Sequence, residues 1–228
     1  MTGFSVSRRE SCASEQDVER FRQLPVAVVS DVMNRMYAGG AHLRKMHRNG
    51  ILVGPAVTVR TRPGDNLMVH KALDMAVAGD VVIVDAGGDL TNAIIGELMV
   101  AYARKKGLAG MVINGAIRDL DDISQGDFPV FAAGVTHRGP YKNGPGEVNA
   151  IIALNGMTIG PGDLVLGDSD GVIAVPQEQL DTVFAAALAK HQAETAQMEA
   201  IEKGENDRSW VDRALVAAGC AGVTGTGE

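Results

Sequence analysis

The dipeptide Arg118-Asp119, together with Gly96-Glu97-Leu98 upstream, holds the residue types most able to do chemistry in this chain. An arginine can grip a carboxylate with two parallel hydrogen bonds, and backbone N–H groups near a helix N-terminus favour an anion. An aspartate in the same place repels that anion unless a divalent cation lies between the two. Carboxylate, cation and arginine together suit a 2-oxo acid, whose carboxylate and keto oxygen can chelate one metal ion.

A plainer explanation of the same dipeptide stays open. Arg118 and Asp119 also suit an ordinary ion pair or a helix N-cap at a loop. On the dipeptide alone this plainer explanation is the stronger one, because Arg-Asp sequences are common.

A strand–helix–strand unit must position these residues. The apolar runs Val81 to Val84 and Ala109 to Ile113 predict two buried strands, and Asn92 to Lys106 has the apolar spacing of a helix. A unit of this length favours parallel strands with a right-handed crossover. Their carboxyl ends, Asp85 to Asp89 and Asn114 to Asp119, should therefore lie side by side, where functional residues of such units tend to be found.

The composition restricts the class of protein. The chain has 228 residues, of which 46% are hydrophobic and 4% aromatic, so it can bury a core of aliphatic side chains. Its net charge of -7 argues against nonspecific nucleic-acid binding, which needs clustered Lys and Arg. No apolar stretch is long enough to span a membrane, and no membrane partner is expected. Cys12 and Cys220 have neither metal-site spacing nor disulfide density, so we expect free thiols in a cytoplasmic protein.

The remaining patterns predict a single α/β domain over residues 1–176 and a helical extension over residues 177–228. Ser14 and Ser30-Asp31 are each predicted to cap a helix. Pro55 predicts an edge position or a bulge in its strand.

Two further segments have a recognisable composition. The stretch from Gly134 to Gly146 holds four glycines and two prolines, which suits a surface loop or an interface arm. Short strands and turns are predicted from Glu147 onward, before a closing helix from Gln177 to Lys203.

Over nearly its whole length the chain resembles the family of 4-hydroxy-4-methyl-2-oxoglutarate/4-carboxy-4-hydroxy-2-oxoadipate aldolases and regulators of ribonuclease E activity. The resemblance is carried by six stretches, taken in order: SDVMNRM from Ser30, GPAVTVR from Gly54, GDVVIVDAGG from Gly79, GELMVAYARKKGLAGMVINGAIRD from Gly96, FPVFAAG from Phe128 and PGDLVLGDSDGVIAVP from Pro161. It implies an α/β sandwich with a central sheet, similar to swivelling phosphohistidine-like domains, and a long C-terminal helix.

The resemblance also implies roles for the residues named above. In the aldolase branch an acidic residue, twenty intervening residues and then Arg-Asp mark the site, and Glu97 with Arg118-Asp119 has that spacing. Asp119 would hold a divalent metal, Mg2+ or Mn2+, and Glu97 would position metal-bound water. Arg118 would bind the pyruvyl part of the substrate, and the N–H groups after Gly96, those of Leu98 and Met99, its carboxylate.

The resemblance adds a further glutamate, contributed by the C-terminal helix of a neighbouring subunit. Glu194 is the best match, because it continues the apolar stripe of the predicted helix, whereas Glu199 lies off that stripe. An exposed-edge glutamate paired with a nearby cation explains Glu194 equally well. His191 on the same stripe fits a packing residue better than a metal ligand.

The interpretation is a class II pyruvate aldolase that cleaves 4-hydroxy-2-oxo acids through a metal-stabilised enolate, with oxaloacetate decarboxylase activity. The resemblance implies a homotrimer or homohexamer with sites shared between subunits. The alternative is a non-catalytic protein that inhibits a ribonuclease. Arg138, Lys142 and His137 suit either a second substrate carboxylate or a solvated loop.

Overall fold

The computed structural model describes residues 3–223, which form a mixed α/β fold around one large sheet. The strands are β1 (Ser5–Val6), β2 (Arg44–Lys45), β3 (Leu52–Thr61), β4 (Val81–Asp85), β5 (Ala93–Ile95), β6 (Gly110–Ile117), β7 (Val130–Val135), β8 (Gly146–Val148), β9 (Ile152–Leu154), β10 (Met157–Ile159), β11 (Leu164–Gly167) and β12 (Val172–Val175). The helices are α1 (Glu15–Phe21), α2 (Val26–Val32), α3 (Leu67–Met75), α4 (Glu97–Lys105), α5 (Leu120–Gln125), α6 (Leu180–Glu202) and α7 (Ser209–Ala217).

The centre of the sheet is parallel, as the strand–helix–strand pattern predicts. Its order is β1-β8-β3-β4-β6-β7-β2, and β3, β4, β6 and β7 run in the same direction. The short strand β5 pairs with the end of β6, and β11 pairs with both β3 and β12. The carboxyl ends of β4 and β6 therefore meet at one edge, because their registers match from Val81 and Gly110 to Asp85 and Asn114.

Aliphatic side chains fill the core on both faces of the sheet. On one face, α3 and α4 cover the sheet through residues such as Val69, Leu73 and Ala103. On the other face, side chains of β4, β6 and β7 pack against those of β9, β10 and β12. A separate cluster joins α1, α2 and the first turns of α6 to β11 and β12, with Phe21 fully buried. The predicted α/β class, central sheet and long C-terminal helix are confirmed.

Three local predictions are corrected by the structure. Helix α2 already begins at Val26, whose N–H donates to the Asp168 carboxylate, so Ser30 lies inside the helix and caps nothing. Strand β3 is central rather than at an edge, because it pairs with both β11 and β4. Pro55 lies one residue before the pairing with β4 begins at Ala56. There the missing N–H of proline interrupts no bond to β4.

The third correction concerns the helix predicted from Asn92 to Lys106. The chain first forms β5 and only then α4, because Ala93 to Ile95 extend beside the long strand β6. Tyr102, expected on the buried face, is exposed, while Val100 and Ala103 are buried.

The described residues fall into two units, divided between Leu188 and Ala189 inside α6. In the first unit, Leu180, Val183 and Ala187 of α6 are buried. The second unit holds the rest of α6 and α7, a short amphipathic helix that the sequence patterns did not indicate. The boundary predicted after residue 176 stays a prediction. Within the described residues, no helix is long and apolar enough to cross a membrane.

Candidate active site

A cleft of about 180 Å³ lies where β5, α4 and the loop after β6 meet. It is lined by backbone and side chains of Asn66, His70, Ile94, Ile95, Gly96, Leu98, Met99, Arg118, Asp119, Pro140 and Lys142. The predicted site residues Gly96, Leu98, Met99, Arg118 and Asp119 are thus brought together. Their convergence depends on β6, which continues past Asn114 and places Arg118 beside the start of α4.

Asp119 lies at the corner between β6 and α5 in a left-handed conformation, with φ 58° and ψ 42°. Aspartate is among the few side chains that tolerate this region. Its carboxylate makes no capping bond to α5; instead Oδ2 accepts a hydrogen bond from the N–H of Glu97 at 3.0 Å. Among the described residues no hydrogen bond to Oδ1 is found, so this oxygen is available to a ligand.

The first turn of α4 supplies backbone donors to the same cleft. The Glu97 N–H is taken by Asp119, and the Met99 N–H donates to the Gly96 carbonyl at 3.1 Å. In the described part of the chain no acceptor is found for the N–H of Leu98. Of the two amides predicted to bind a carboxylate, that of Leu98 is therefore the unoccupied one.

Gly96 allows this close arrangement because it has no side chain. A Cβ atom there would overlap the Asp119 carboxylate and lie 3.0 Å from Cγ of Arg118. Arg118 is held by its own N–H, which donates to the Ile95 carbonyl at 3.0 Å. Its Nε lies 3.5 Å from Oδ2 of Asp119, a loose contact between half-exposed groups. The ion pair of the plainer explanation is thus present, but it is loose enough for the guanidinium to turn to a ligand.

The loop from Gly134 to Gly146 forms one wall of the cleft. Its first half is tied to β5, because the Asn92 amide donates to the Gly139 carbonyl at 2.6 Å and the Ala93 N–H to the Arg138 carbonyl at 2.8 Å. This wall brings Lys142 to the cleft, whereas Arg138 and His137 do not line it.

The second half of that loop is fixed by the fully buried Asp65. Its carboxylate accepts hydrogen bonds from the N–H groups of Asn143 and Gly144 at 2.7 and 3.0 Å, and from that of Leu67 at 2.9 Å. Burial alone would raise the pKa of Asp65, but these backbone donors outweigh it and lower the pKa. The loop is thereby anchored beside the N-terminus of α3.

His70 and Lys142 both line the cleft and, with Asn66, carry its remaining polar side-chain chemistry. Although His70 is exposed on one side, desolvation lowers its pKa below the usual 6.5, and the charge of Lys142 lowers it further against the opposing effect of Asp74. His70 therefore favours its neutral form near pH 7. The cleft combines two permanent cations, one carboxylate and one neutral imidazole.

Two predicted site residues do not line the cleft. Glu97 contributes its N–H to Asp119, but it borders a neighbouring groove with Arg104 and Asp122. Glu194 belongs to the second unit, where it pairs with Lys190 at 2.8 Å and is exposed. The roles predicted for both stay predictions.

A divalent cation fits this site only if most of its ligands come from elsewhere. In the part of the chain that the structure describes, no group of three or more His, Cys, Asp or Glu residues could hold a metal. Asp119 supplies one free carboxylate oxygen. Mg2+ keeps several waters and is often bound by one or two carboxylates plus substrate, so this donor set suits Mg2+ better than a metal that needs a full protein cage.

The sequence patterns indicated neither Asn66 nor His70 as a site residue. Both lie in or just before α3. The structure finds no side-chain capping bond for Asn66 and places its amide against the Ile94 carbonyl instead. No local pattern signals this, because the contact joins segments far apart in the sequence.

Comparison with known proteins agrees with the motif resemblance. The family model described as "RraA-like: Aldolase/RraA" matches residues 26–174. A protein of Halalkalibacterium halodurans named "Putative 4-hydroxy-4-methyl-2-oxoglutarate aldolase" is 38% identical over 184 residues, which cover 81% of this chain and 88% of that protein. A protein of the same name from Ectopseudomonas mendocina is 36% identical over 124 residues, 54% of this chain and 76% of that protein.

Two solved structures share the fold. An uncharacterized protein from Pseudomonas syringae superposes with a TM-score of 0.76 at 25% identity, covering 85% of this chain and 96% of that one. The RNA-processing inhibitor RraA from Thermus thermophilis superposes with a TM-score of 0.62 at 30% identity, covering 68% and 93%. The family match spans most of the chain, and the parallel strands and the cleft residues fall within it. The chain therefore belongs to the RraA-like family.

Proposed function

We propose that this protein is a divalent-metal-dependent aldolase that cleaves 4-hydroxy-2-oxo acids and releases pyruvate. The observation that carries the proposal is the convergence of Arg118, Asp119 and the unoccupied Leu98 N–H on one cleft. The names of the curated relatives support this class of reaction. Magnesium or manganese is the proposed cofactor, and a small 2-oxo acid is the proposed ligand.

Different residues of the cleft would bind different parts of the substrate. The Leu98 N–H at the start of α4 and the Arg118 guanidinium would hold the carboxylate of the pyruvyl part and fix its orientation. Asp119 Oδ1 would hold the divalent cation, while its Oδ2 stays bonded to the Glu97 N–H. A cation bound there would offset the negative charge that develops on the keto oxygen during cleavage.

The opposite wall would receive the distal half of the substrate. Lys142 and the neutral His70 lie across the cleft from the start of α4 and suit a second carboxylate or a polar substituent. Because Asp65 fixes the loop that carries Lys142, the backbone of this lysine is anchored beside the cleft. The proposed substrates are therefore dicarboxylates or larger, such as 4-hydroxy-4-methyl-2-oxoglutarate.

Decarboxylation of oxaloacetate is proposed as a second activity of the same cleft. Loss of CO2 from oxaloacetate leaves the same enolate of pyruvate as retro-aldol cleavage does. A site that stabilises this anion serves both reactions.

The proposed active form is a homotrimer or homohexamer in which Glu194 of a neighbouring subunit completes the cleft. Among the described residues of one chain, Asp119 is the single carboxylate that lines the cleft, and Leu98 in the same lining is 80% exposed, which leaves room for a partner. Mixing Glu194→Ala and Asp119→Ala subunits should restore some active sites. Mixtures as inactive as either variant alone would count against a shared site.

A second function rests on the similarity to the RNA-processing inhibitor RraA, at 30% identity. In this alternative the protein would bind a ribonuclease and lower its activity without any turnover of its own. The cleft then has no catalytic role, and variants within it should leave the inhibition unchanged.

The test is pyruvate release from 4-hydroxy-4-methyl-2-oxoglutarate and from oxaloacetate, with Mg2+ or Mn2+ added after removal of metals by a chelator. We expect turnover that depends on the added metal. Turnover that persists in the presence of the chelator would show that the reaction does not depend on a divalent metal. No turnover with either substrate and any divalent metal would leave the ribonuclease inhibitor as the better account.

A further inference from the structure

We infer that Asn66 recognises the hydroxyl group of the substrate and sets the preference for hydroxy acids; this inference rests on the proposed function. Asn66 lines the cleft and is only 2% exposed. Its side-chain Nδ2 donates to the Ile94 carbonyl at 2.9 Å and lies 3.4 Å from Sδ of Met99. Its Oδ1 is buried, and no described residue offers it a hydrogen-bond partner.

The orientation of this amide is fixed by its surroundings. Exchanging Oδ1 and Nδ2 would place an oxygen against the Ile94 carbonyl, so the assignment with Nδ2 as donor is the stable one. The backbone is held as well, since the Asn66 N–H donates to the Tyr141 carbonyl at 3.0 Å and its carbonyl accepts from the His70 N–H at 3.1 Å. The unpartnered oxygen therefore has a fixed position in a residue that lines the cleft.

An unpartnered buried acceptor destabilises the fold unless something supplies a donor. Asn66 stands at the start of α3, but its Oδ1 makes no capping bond to that helix. Met99, which lies against the amide, has a flexible thioether that can turn aside as a ligand enters. A ligand with a hydroxyl group would satisfy the oxygen.

Asn149 is a matched residue that separates the effect of a place in the cleft from the effect of an unpartnered amide oxygen. Asn149 also has a buried Oδ1 without a partner among the described residues, and its Nδ2 donates to the Ser7 carbonyl at 3.0 Å. Asn149 does not line the cleft. It therefore provides a control with the same chemistry at another place.

The chemistry of the cleft assigns the hydroxyl to Asn66. Arg118 and Lys142 only donate hydrogen bonds, and the Asp119 carboxylate is reserved for the cation. The neutral His70 also offers an acceptor, but it is exposed to water, whereas Asn66 Oδ1 is buried and has no partner among the described residues. A 4-hydroxy-2-oxo acid brings one alcohol O–H, at C4. In cleavage the C3–C4 bond breaks, its electron pair stays with the pyruvyl part, and the C4 oxygen becomes a carbonyl as its proton passes to water. The pyruvyl enolate then takes up a proton at C3 to give pyruvate. An amide oxygen cannot take the hydroxyl proton, so Asn66 is a positioning residue and not the base.

Oxaloacetate in its keto form has no such hydroxyl. Its turnover therefore reports on the rest of the cleft without the proposed hydrogen bond to Asn66. The experiment compares kcat/KM for 4-hydroxy-4-methyl-2-oxoglutarate with kcat/KM for oxaloacetate in the wild type and in variants. In Asn66→Ala both values can fall, but their ratio should fall about tenfold, the order expected for one hydrogen bond to a neutral group. Asn66→Asp keeps an acceptor oxygen but sets a second oxygen against the Ile94 carbonyl, so both values should fall while their ratio stays nearer that of the wild type than in Asn66→Ala. Asn149→Gly, which tolerates the left-handed backbone of this position, should keep the wild-type ratio.

Several outcomes would overturn the inference. An equal loss on both substrates in Asn66→Ala and in Asn66→Asp would show that Asn66 only supports the wall. A variant that fails to fold by circular dichroism is replaced by Asn66→Leu, which retains the side-chain volume and must show the same change in ratio. A wild type that turns over oxaloacetate but not the hydroxy acid would overturn the inference and leave the metal site standing. A wild type inactive on both substrates would overturn the proposed function itself.

Discussion

Two polar clusters lie on the carboxyl edge of the same parallel sheet, and only one of them leaves its groups unoccupied. In the first, Asp85 Oδ1 accepts hydrogen bonds from the Gly87 N–H at 3.0 Å and from Asn114 Nδ2 at 3.2 Å, and Asn114 Oδ1 lies 3.0 Å from Nε2 of His42. Asp85 Oδ1 and both polar atoms of the Asn114 amide thus have partners within the cluster. This cluster is called the closed cluster below.

The second cluster, around Arg118 and Asp119, is arranged differently. Arg118 meets Asp119 only at 3.5 Å, the Leu98 N–H has no acceptor within the described residues, and Asn66 Oδ1 is unpartnered there too. This cluster is called the open cluster. A structural cluster closes its own hydrogen bonds, whereas a site for a ligand leaves donors and acceptors that the ligand completes. The two clusters have similar residue types, so residue type alone does not separate them.

The largest expected difference is between Asp119 and Asp85. Asp119→Ala should lower metal-dependent pyruvate release by on the order of a thousandfold or more, because it removes the one cleft carboxylate that can hold the cation. Asp85→Ala should leave kcat/KM within about twofold and lower the free energy of unfolding by about 1 kcal/mol, since one exposed and one partly buried hydrogen bond are lost. Steady-state assays and urea unfolding measure the two effects. Equal losses of activity in both variants would remove the distinction between the clusters.

Asp119→Asn separates charge from geometry in the open cluster. Asparagine tolerates the left-handed backbone at this position and can still accept from the Glu97 N–H, so the unfolding midpoint should stay near that of the wild type. Activity should nevertheless be lost, as in Asp119→Ala. An active Asp119→Asn enzyme would contradict the role of the carboxylate in holding a cation.

Arg118→Lys is expected to have the next largest effect. Lysine keeps the charge but loses the planar pair of donors, so kcat/KM should fall by roughly ten- to a hundredfold. The loss should be similar on the hydroxy acid and on oxaloacetate, because both carry the pyruvyl carboxylate. Unchanged kinetics would show that Arg118 does not grip the substrate.

A smaller effect is expected from Lys142→Met. Removing this ammonium should raise KM for substrates with a distal carboxylate by about tenfold, with a smaller change in kcat. Lys105→Met, an exposed lysine at the end of α4, provides the control and should have wild-type kinetics. Identical KM values in the two variants would exclude Lys142 from substrate binding.

The smallest effect concerns the titration of His70. Desolvation and then Lys142 lower the pKa of His70, so its NMR titration midpoint should lie below 6.5 in the wild type. In Lys142→Met the midpoint should move upward, because the neighbouring positive charge no longer disfavours protonation. It should remain below 6.5, since desolvation, the larger cause, persists. A midpoint that does not move would place Lys142 too far from His70 to share a ligand with it.

The sequence predicted the part of the site that depends on local order. Val81 to Val84 and Ala109 to Ile113 have the apolar runs of buried parallel strands, and such strands bring their carboxyl ends to one edge. The loop from Asp85 was expected beside Arg118, and it does lie at that edge. It forms the closed cluster instead of the site, because β6 runs on past Asn114 before it reaches Arg118.

What the sequence could not predict depends on long-range contacts. Asn66 and Lys142 reach the cleft only because Asp65 ties the start of α3 to the loop after β7, and no spacing in the sequence encodes that tie. The bond from the Glu97 N–H to Asp119 likewise joins two segments that the crossover brings together. The start of α4 was misplaced because Ala93 to Ile95 fit a helix and a strand equally well, and pairing with β6 decides between them.

The most direct test of the central claim is the effect of bound Mn2+ on the NMR relaxation of the pyruvate methyl protons. With wild-type protein we expect strong relaxation enhancement that excess Mg2+ reverses, because metal and pyruvate would occupy the same cleft. With Asp119→Asn, which preserves the fold but not the charge, the enhancement should vanish. Equal enhancement in wild type and Asp119→Asn would contradict a metal site at Asp119.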